Sequence, residues 1–221
     1  GLTDIRLNAN ILSIERTGDE VILSFEDGKQ ESFDQLVMAT HSDQALALLK
    51  DADDCETQAP PAIKYTPNHI CLHCDPSLMP KRPLTWSAWN YLSDTTAKQS
   101  EKKQSDDVCV TYWMNSLQNI DNSTPVFVTL NPPQPPQKNM TFGQYQYDHP
   151  QYDRAALEAQ DNLSTIQGRR QTWFCGAWTG YGFHEDGLRS AVEVSTALGV
   201  NVPWKQNLSA SSKSKFAEAA E

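Results

Sequence analysis

The sequence predicts a mixed α/β (α+β) fold, and three observations predict it. Apolar residues alternate with polar ones along residues 4–25, with glycine turns between the runs. The middle of the chain is a series of short apolar runs with few helical signals. Toward the C-terminus a short apolar run enters a glycine-rich turn and then an amphipathic pattern. The expected divisions are 1–50 (a β-meander, a strand and a helix), 51–167 (an antiparallel domain), 168–205 (a strand–loop–helix) and 206–221 (a flexible tail).

In the first segment Ile5, Leu7, Ile11, Ile14, Val21, Leu23 and Phe25 recur among polar residues. Thr17-Gly18-Asp19 and Asp27-Gly28 supply hairpin turns. Phe33 to Ala39 reads as a buried strand, and Ser42 or Asp43 as the cap of a helix over Ala45 to Lys50. Residues 51–62, D-A-D-D-C-E-T-Q-A-P-P-A, read as a boundary. Strand-like runs follow at His69 to His73, Leu84 to Leu92, Val108 to Trp113 and Val126 to Leu130, with Ser93 to Asp107 as a loop. N-P-P-Q-P-P-Q-K at 131–138 cannot form a central strand, because proline lacks the N–H that a ladder needs. A helix is expected over Tyr152 to Gln167, ended by Gly168. Trp173-Phe174-Cys175 reads as a strand stopping at Gly176, followed by a helix from about Leu188 to Leu198.

Composition narrows the function. The 221 residues suffice for one or two domains with a sizeable core. Eighteen Lys+Arg against 28 Asp+Glu give a formal charge of −10, which argues against nucleic acid or an anionic membrane as the main partner. No apolar run reaches the roughly 18 residues of a membrane span, and the first residues lack a signal-peptide pattern. The five cysteines (Cys55, Cys71, Cys74, Cys109 and Cys175) are odd in number and scattered, as expected of reduced thiols in a cytoplasmic protein.

Two clusters leave alternatives open. C-L-H-C (Cys71 to Cys74) with His69 suggests zinc, yet no second ligand pair is evident. Its other reading is a strand with buried thiols and His73 facing a substrate cavity. In the aromatic stripe, Trp86 and Asn90 share one strand face and Trp89 and Tyr91 the other, with Tyr112, Trp113 and Asn115 nearby. One face reads as core, the other as the lining of an apolar cavity.

The most informative stretch is W-F-C-G-A-W-T-G-Y-G-F-H-E-D-G-L-R-S-A, Trp173 to Ala191. Strand, glycine loop, acidic pair and helix start bring backbone N–H groups and a positive dipole end beside an anion or electron-rich ring. Four further stretches accompany it in order: F-D-Q-L-V-M-A-T-H-S-D-Q-A-L from Phe33, L-H-C-D-P-S-L-M-P from Leu72, W-S-A-W-N-Y from Trp86 and V-T-L-N-P from Val128. Together they resemble the FAD-dependent amine-oxidase-like oxidoreductases, in particular the bacterial branch of predicted NAD/FAD-binding proteins.

The resemblance implies a fold, a cofactor and a set of roles. Residues 1–50 and 168–205 would be the C-terminal part of an FAD-binding Rossmann-type domain, and 51–167 an antiparallel-sheet substrate domain. FAD would bind non-covalently and exchange a hydride at N5 with a small amine or acyl-chain-like substrate. Gly176 would let the pyrophosphate–ribityl chain pass, and Gly187, Leu188 and Arg189 would offer N–H groups to the flavin's pyrimidine edge. Ala177 stands where much of the superfamily carries an acidic residue. Ile11, beside Asn10, would pair its backbone with adenine, while Thr40 and His41 would lie near the dinucleotide. Glu185 and Asp186 flank the same site; Asp186 is either a helix cap or, with His184, an acid–base group. No catalytic residue is assigned; the candidates are His184, Asn90 and Tyr112. No G-x-G-x-x-G motif occurs. The expectation is therefore a C-terminal half that is inactive alone and partnered by its own N-terminal half. A non-catalytic binding or scaffold module and a zinc-stabilised domain are the other readings.

Overall fold

The computed structural model describes residues 4–58, 63–92, 109–202 and 204. The expected tail from 206, the loop over Ser93 to Asp107 and the end of the 51–62 boundary lie outside them. Packing divides the chain into two units, one of residues up to Lys64 and from Pro150 onward, the other Tyr65–His149. Residues 51–58, 63, 64 and 150–167 thus pack with the first unit, although the sequence pattern ran the antiparallel domain through them.

In the first unit, β1 (Ile11–Thr17), β2 (Glu20–Phe25) and β3 (Gln30–Phe33) form an antiparallel meander in that order. Ile14, Val21 and Leu23 turn inward and are buried. The alternation expected from residue 4 does not make a strand there. Asn8 and Asn10 adopt left-handed backbone (φ 55° and 51°), which breaks an extended run, and Ile5 and Leu7 stay exposed. β4 (Leu36–Met38) leads into α1 (Ser42–Leu48), whose cap position is His41 rather than Ser42 or Asp43.

α2 (Asp54–Gln58) was hidden by the acidic composition of its segment. Asp53 Oδ1 accepts from the N–H groups of Cys55 and Glu56, and Glu56 Oε2 accepts back from Asp53 N–H. The pattern D-x-x-E is a capping box, which satisfies first-turn donors that would otherwise need water.

The second unit is built on a five-stranded sheet. Its strands are β5 (Lys64–His73), β6 (Trp89–Leu92), β7 (Cys109–Trp113), β8 (Phe127–Leu130) and β9 (Thr141–Gln151), in the order β6-β7-β8-β5-β9. The pairs β6–β7, β7–β8 and β8–β5 are antiparallel. Registry sorts the side chains by face. Trp89, Tyr112, Val128 and Leu72 form one row, and Tyr91, Val110, Leu130 and Ile70 the next. The opposite face carries Asn90, Thr111, Thr129 and Cys71, all buried. The short helix α3 (Met114–Gln118) places Asn115 where its side chain braces the turn to β8, donating to Asp121 O and Thr124 O and accepting from Val126 N–H. β9 carried no sequence signal because nearly all of it is exposed, so burial does not alternate along it.

Back in the first unit, Asp153 caps α4 (Arg154–Asn162) by accepting from Ala156 N–H at 2.9 Å. The helix stops earlier than expected and passes through a 3-10 turn at Leu163–Thr165 before Gly168. β10 (Thr172–Phe174) then pairs in parallel with β4, Leu36 beside Thr172 and Met38 beside Phe174. α5 (His184–Ala197) closes the unit.

A buried ion cluster joins these distant pieces of the first unit. The Arg16 side chain is wholly enclosed; its Nε donates to Asp51 Oδ1 at 3.0 Å and its Nη2 to Glu56 Oε2 at 2.7 Å, with a second bond from Nη1 to Glu56. Arg170 donates to the Asp51 carboxylate and, at 3.2 Å, to Arg16 O, while Arg169 pairs with Asp53 at 2.8 Å. Burial alone would lower the pKa of Arg16, but Glu56 and Asp51 outweigh it and hold the guanidinium above its ordinary value. Arg16→Met should therefore cost about 3–5 kcal/mol of unfolding free energy, because the buried Glu56 (1% exposed) would lose its counterion. Urea unfolding of the full reading frame measures it, and a loss below about 1 kcal/mol would mean that water already reaches the cluster.

Candidate cofactor-binding site

β4 and β10 run parallel, so their carboxyl ends lie side by side, where open α/β sheets bind ligands. From β4 the chain leaves through Ala39, Thr40 and His41 into α1; from β10 it leaves through Cys175 into the glycine loop. Cys175 N–H donates to Met38 O at 3.0 Å, continuing the pairing by one bond. Trp178, buried, donates its indole N–H to Thr40 O at 3.1 Å and so ties the loop to the end of β4. Thr40 itself is exposed.

Gly176 has φ 144°, and a Cβ there would sit 2.9 Å from the Trp178 indole. The missing side chain thus makes room for Trp178, a purpose that the sequence did not reveal. Gly176 N–H donates to Ser190 Oγ at 3.0 Å, and Gly176 O accepts from Thr179 N–H at 3.1 Å. Gly180 is confined by charge: a Cβ there would collide with the Asp186 carboxylate and lie 2.8 Å from Arg189 Nη2.

α5 starts one turn earlier than its amphipathic pattern suggested, with Phe183 as the cap residue. The cause is Asp186. Its Oδ2 accepts from Tyr181 N–H at 2.9 Å and from Phe183 N–H at 3.1 Å, and its Oδ1 from Arg189 Nη2 at 2.6 Å. An acid at the third helical position that reaches back to the cap stabilises the first turn. Burial alone would raise the Asp186 pKa, but these donors hold the carboxyl below its ordinary value. Of the two roles left open for Asp186, the hydrogen bonds are those of the cap.

The earlier start moves the donors. Gly187 N–H bonds Phe183 O at 3.3 Å, and Leu188 and Arg189 lie in the second turn, where N–H groups close the helical ladder. Among the described residues no protein acceptor faces the N–H groups of Ala177, Trp178, His184 and Glu185. His184 and Glu185 are exposed, as are the rings of Tyr181 and Phe183 and the side chain of Leu188. Four open donors, the positive end of α5 and adjoining aromatic surface suit a planar, electron-rich ligand edge.

Ile11 opens β1 opposite Phe25, at a bulge between Ile11 and Ser13, and is half-buried. Asn10 beside it bonds Glu26 through both backbone and side chain.

In the second unit Asn90 is buried and spends its amide on backbone: Oδ1 accepts from Ser87 N–H, and Nδ2 donates to Ser87 O and Thr111 O. Tyr112 lies half-buried on the opposite, apolar face, edge-on to Trp89 with ring centres 5.0 Å apart, and burial raises its pKa. His73 faces the covered side of the sheet and is wholly buried, not turned toward a cavity. Its Nδ1 accepts from Asp75 N–H at 3.2 Å, so Nε2 carries the proton and donates to Thr129 Oγ1 at 2.7 Å. Thr129 passes the bond to Thr111 Oγ1 at 2.8 Å, which donates to Leu78 O. With both ring nitrogens occupied and Cys74 Sγ on Met140 O, the C-L-H-C cluster is committed elsewhere. No group of three or more His, Cys, Asp or Glu side chains is placed to share a metal among the described residues.

Gln160 was missed by the sequence reading. From α4 its Nε2 donates to Trp178 O at 2.8 Å and to Gly180 O at 2.6 Å. Nothing in its local sequence distinguishes it from any polar residue on a helix.

No family model matches the chain. No curated protein matches its sequence either. Solved structures do match in fold. A CLA-producing fatty acid isomerase from P. acnes superposes with TM-score 0.59 at 16% identity, covering 86% of this chain and 47% of its own. Cyclohexylamine oxidase from Brevibacterium oxydans IH-35A gives 0.57 at 12% identity, covering 86% and 48%. Reduced UDP-galactopyranose mutase gives 0.56 at 11% identity, covering 87% and 47%. The chain shares its fold with part of each of these three proteins. It spans about half the length of each of these proteins. At these identities the likeness is one of fold. No described helix is long and apolar enough to cross a membrane.

Burial keeps His73 neutral and lowers its pKa, against the opposing pull of Asp75. An unfolded chain takes up this proton near the ordinary value of 6.5. Stability should be level above that pH and fall below it, by at most about 1.4 kcal/mol per pH unit for one proton, until the folded value is reached. Urea midpoints from pH 7.5 to 5 should show the slope, and His73→Asn should flatten it.

Proposed function

We propose that this chain is the C-terminal portion of an FAD-dependent oxidoreductase of the amine-oxidase superfamily, one that moves a hydride between a small substrate and flavin N5. The observation that carries the reading is the junction of parallel strand ends, glycine loop and α5 start, with open N–H groups at Ala177, Trp178, His184 and Glu185. These residues fit the pyrimidine edge of a flavin. Ala177 provides no carboxylate for the ribityl chain. When bound, FAD supplies the hydride acceptor or donor.

The chain's own contribution is electrostatic. N–H groups and the positive end of α5 stabilise negative charge on a ring edge, and the exposed His184 stands at that helix start. Taken by itself, the second unit has an uncharged sheet face of Trp89, Tyr91, Val110, Tyr112, Val128 and Leu130 whose chemistry suits an apolar group. Both an amine with an apolar body and an acyl chain fit that description, as do the names of two fold relatives, an amine oxidase and a fatty acid isomerase.

The full reading frame, purified, should show the two visible absorption bands of an oxidised flavin; a colourless protein overturns the reading. Gly187 provides the finer test. A Cβ there would meet Ala177 N at 3.5 Å, an ordinary contact, so Gly187→Ala should keep its flavin. Gly187→Leu should push the loop away from the helix and lower flavin content at least about 10-fold, a loss near 1.4 kcal/mol of binding. Equal flavin in both variants would count against a ligand at this helix start.

A further inference from the structure

We infer that Gln160 is the positioning residue of the glycine loop: its one amide nitrogen orients two loop peptides and so sets the open N–H donors toward the cofactor. This rests on the flavin reading above. Each of the two peptides is held at both ends. In the Trp178–Thr179 peptide the oxygen accepts from Gln160 Nε2 at 2.8 Å, and the Thr179 N–H donates to Gly176 O at 3.1 Å. In the Gly180–Tyr181 peptide the oxygen accepts from the same Nε2 at 2.6 Å, and the Tyr181 N–H donates to Asp186 Oδ2 at 2.9 Å. Neither peptide can rotate without breaking two bonds. The unpaired N–H groups of Ala177 and Trp178 directly precede the first of them, and those of His184 and Glu185 follow the second by a few residues.

The residue type matters. A primary amide offers two donors on one uncharged nitrogen, which suits two carbonyls converging on one point. A carboxylate would present only acceptors to them. Gln160 is also carried by a fixed element, since Ala156 and Ala159 bury the inner side of α4 and Asp153 caps it. Beside Gln160 is a cavity of about 240 Å³ lined also by Leu163, Thr179, Arg189 and Glu193. Arg189 and Glu193 are the charged groups of α5 that line the same cavity, and Arg189 is paired to Asp186.

The test uses the full reading frame, free FAD as the probe, and two variants of similar size. Gln160→Met removes both donors. Amide hydrogen exchange at Thr179 and Tyr181 should speed up about 10-fold, and FAD affinity for the apoprotein should fall about 10-fold. Gln160→Glu separates positioning from mere stability. As a carboxylate at pH 8 it should bind FAD as poorly as the Met variant; toward pH 5 the protonated form regains one donor and part of the affinity should return, unlike wild type. Unchanged exchange in Gln160→Met overturns the inference whatever FAD does. Faster exchange with wild-type FAD affinity and spectrum overturns the positioning role and leaves a structural tie. If the loop is protected in wild type, loosened in the variant, and wild type binds no FAD, the flavin reading fails and takes the positioning role with it; the missing wild-type binding marks that case.

Discussion

Arg16 is the group on which the first unit depends. Its guanidinium is sealed from water and meets Glu56 and Asp51, and Asp51 in turn meets Arg170. These residues come from β1, the segment after α1, α2 and the turn before β10. A hydrophobic cluster could hold the same elements close, but it tolerates sliding. An enclosed guanidinium with two carboxylates does not, because each misplaced partner leaves a buried charge without its counterion. The turn that introduces β10 is therefore held against the N-terminal segment, and β10 can take its place beside β4. Arg170 reaches its partners from left-handed backbone (φ 51°), a conformation that a non-glycine residue keeps only where its surroundings enforce it.

What hangs from β10 is organised by hydrogen bonds rather than by packing. The loop from Gly176 to Phe183 has two buried residues, Trp178 and Gly180, and exposed aromatic rings at its far end. Its shape comes from three polar side chains outside or beyond it: Ser190, Asp186 and Gln160. Two of these, Ser190 and Asp186, belong to the helix that the loop leads into, so loop and helix start define each other. Such an arrangement leaves the remaining N–H groups unpaired by design of the backbone path, not by looseness.

Much of this architecture could be read in the sequence, for physical reasons that differ by element. The meander was legible because Ile14, Val21 and Leu23 bury one face and Gly18 and Gly28 punctuate the turns. β10 and α5 were legible because an apolar run, glycines and an amphipathic pattern follow one another. β9 was not, since a strand exposed on both faces has no period of two to display. α2 had a signal, the D-x-x-E of Asp53 and Glu56, that acidic composition masked. The start of α5 was placed a turn late because periodicity marks where a helix is half-buried, whereas Asp186 decides where its first N–H groups are satisfied. Gln160 had no local signal at all: its partners lie 18 and 20 residues away, and only folding brings them together. Asn90 shows the converse, since a buried amide looks functional in sequence and is spent on its own turn.

The first unit is assembled from two stretches of chain separated by the second. Thr40 meets Trp178 across 138 residues. At ribosomal speeds of about 5–20 residues per second, roughly 7–28 s pass between the synthesis of β4 and the arrival of the loop that covers its end. The second unit, contiguous in sequence, can fold in that interval. β4 cannot complete its pairing with β10, and Asp51 and Asp53 wait for Arg170 and Arg169. Vectorial synthesis therefore imposes an order, inserted unit before interrupted one, and the β4 edge that β10 will cover is open to mispairing until β10 arrives.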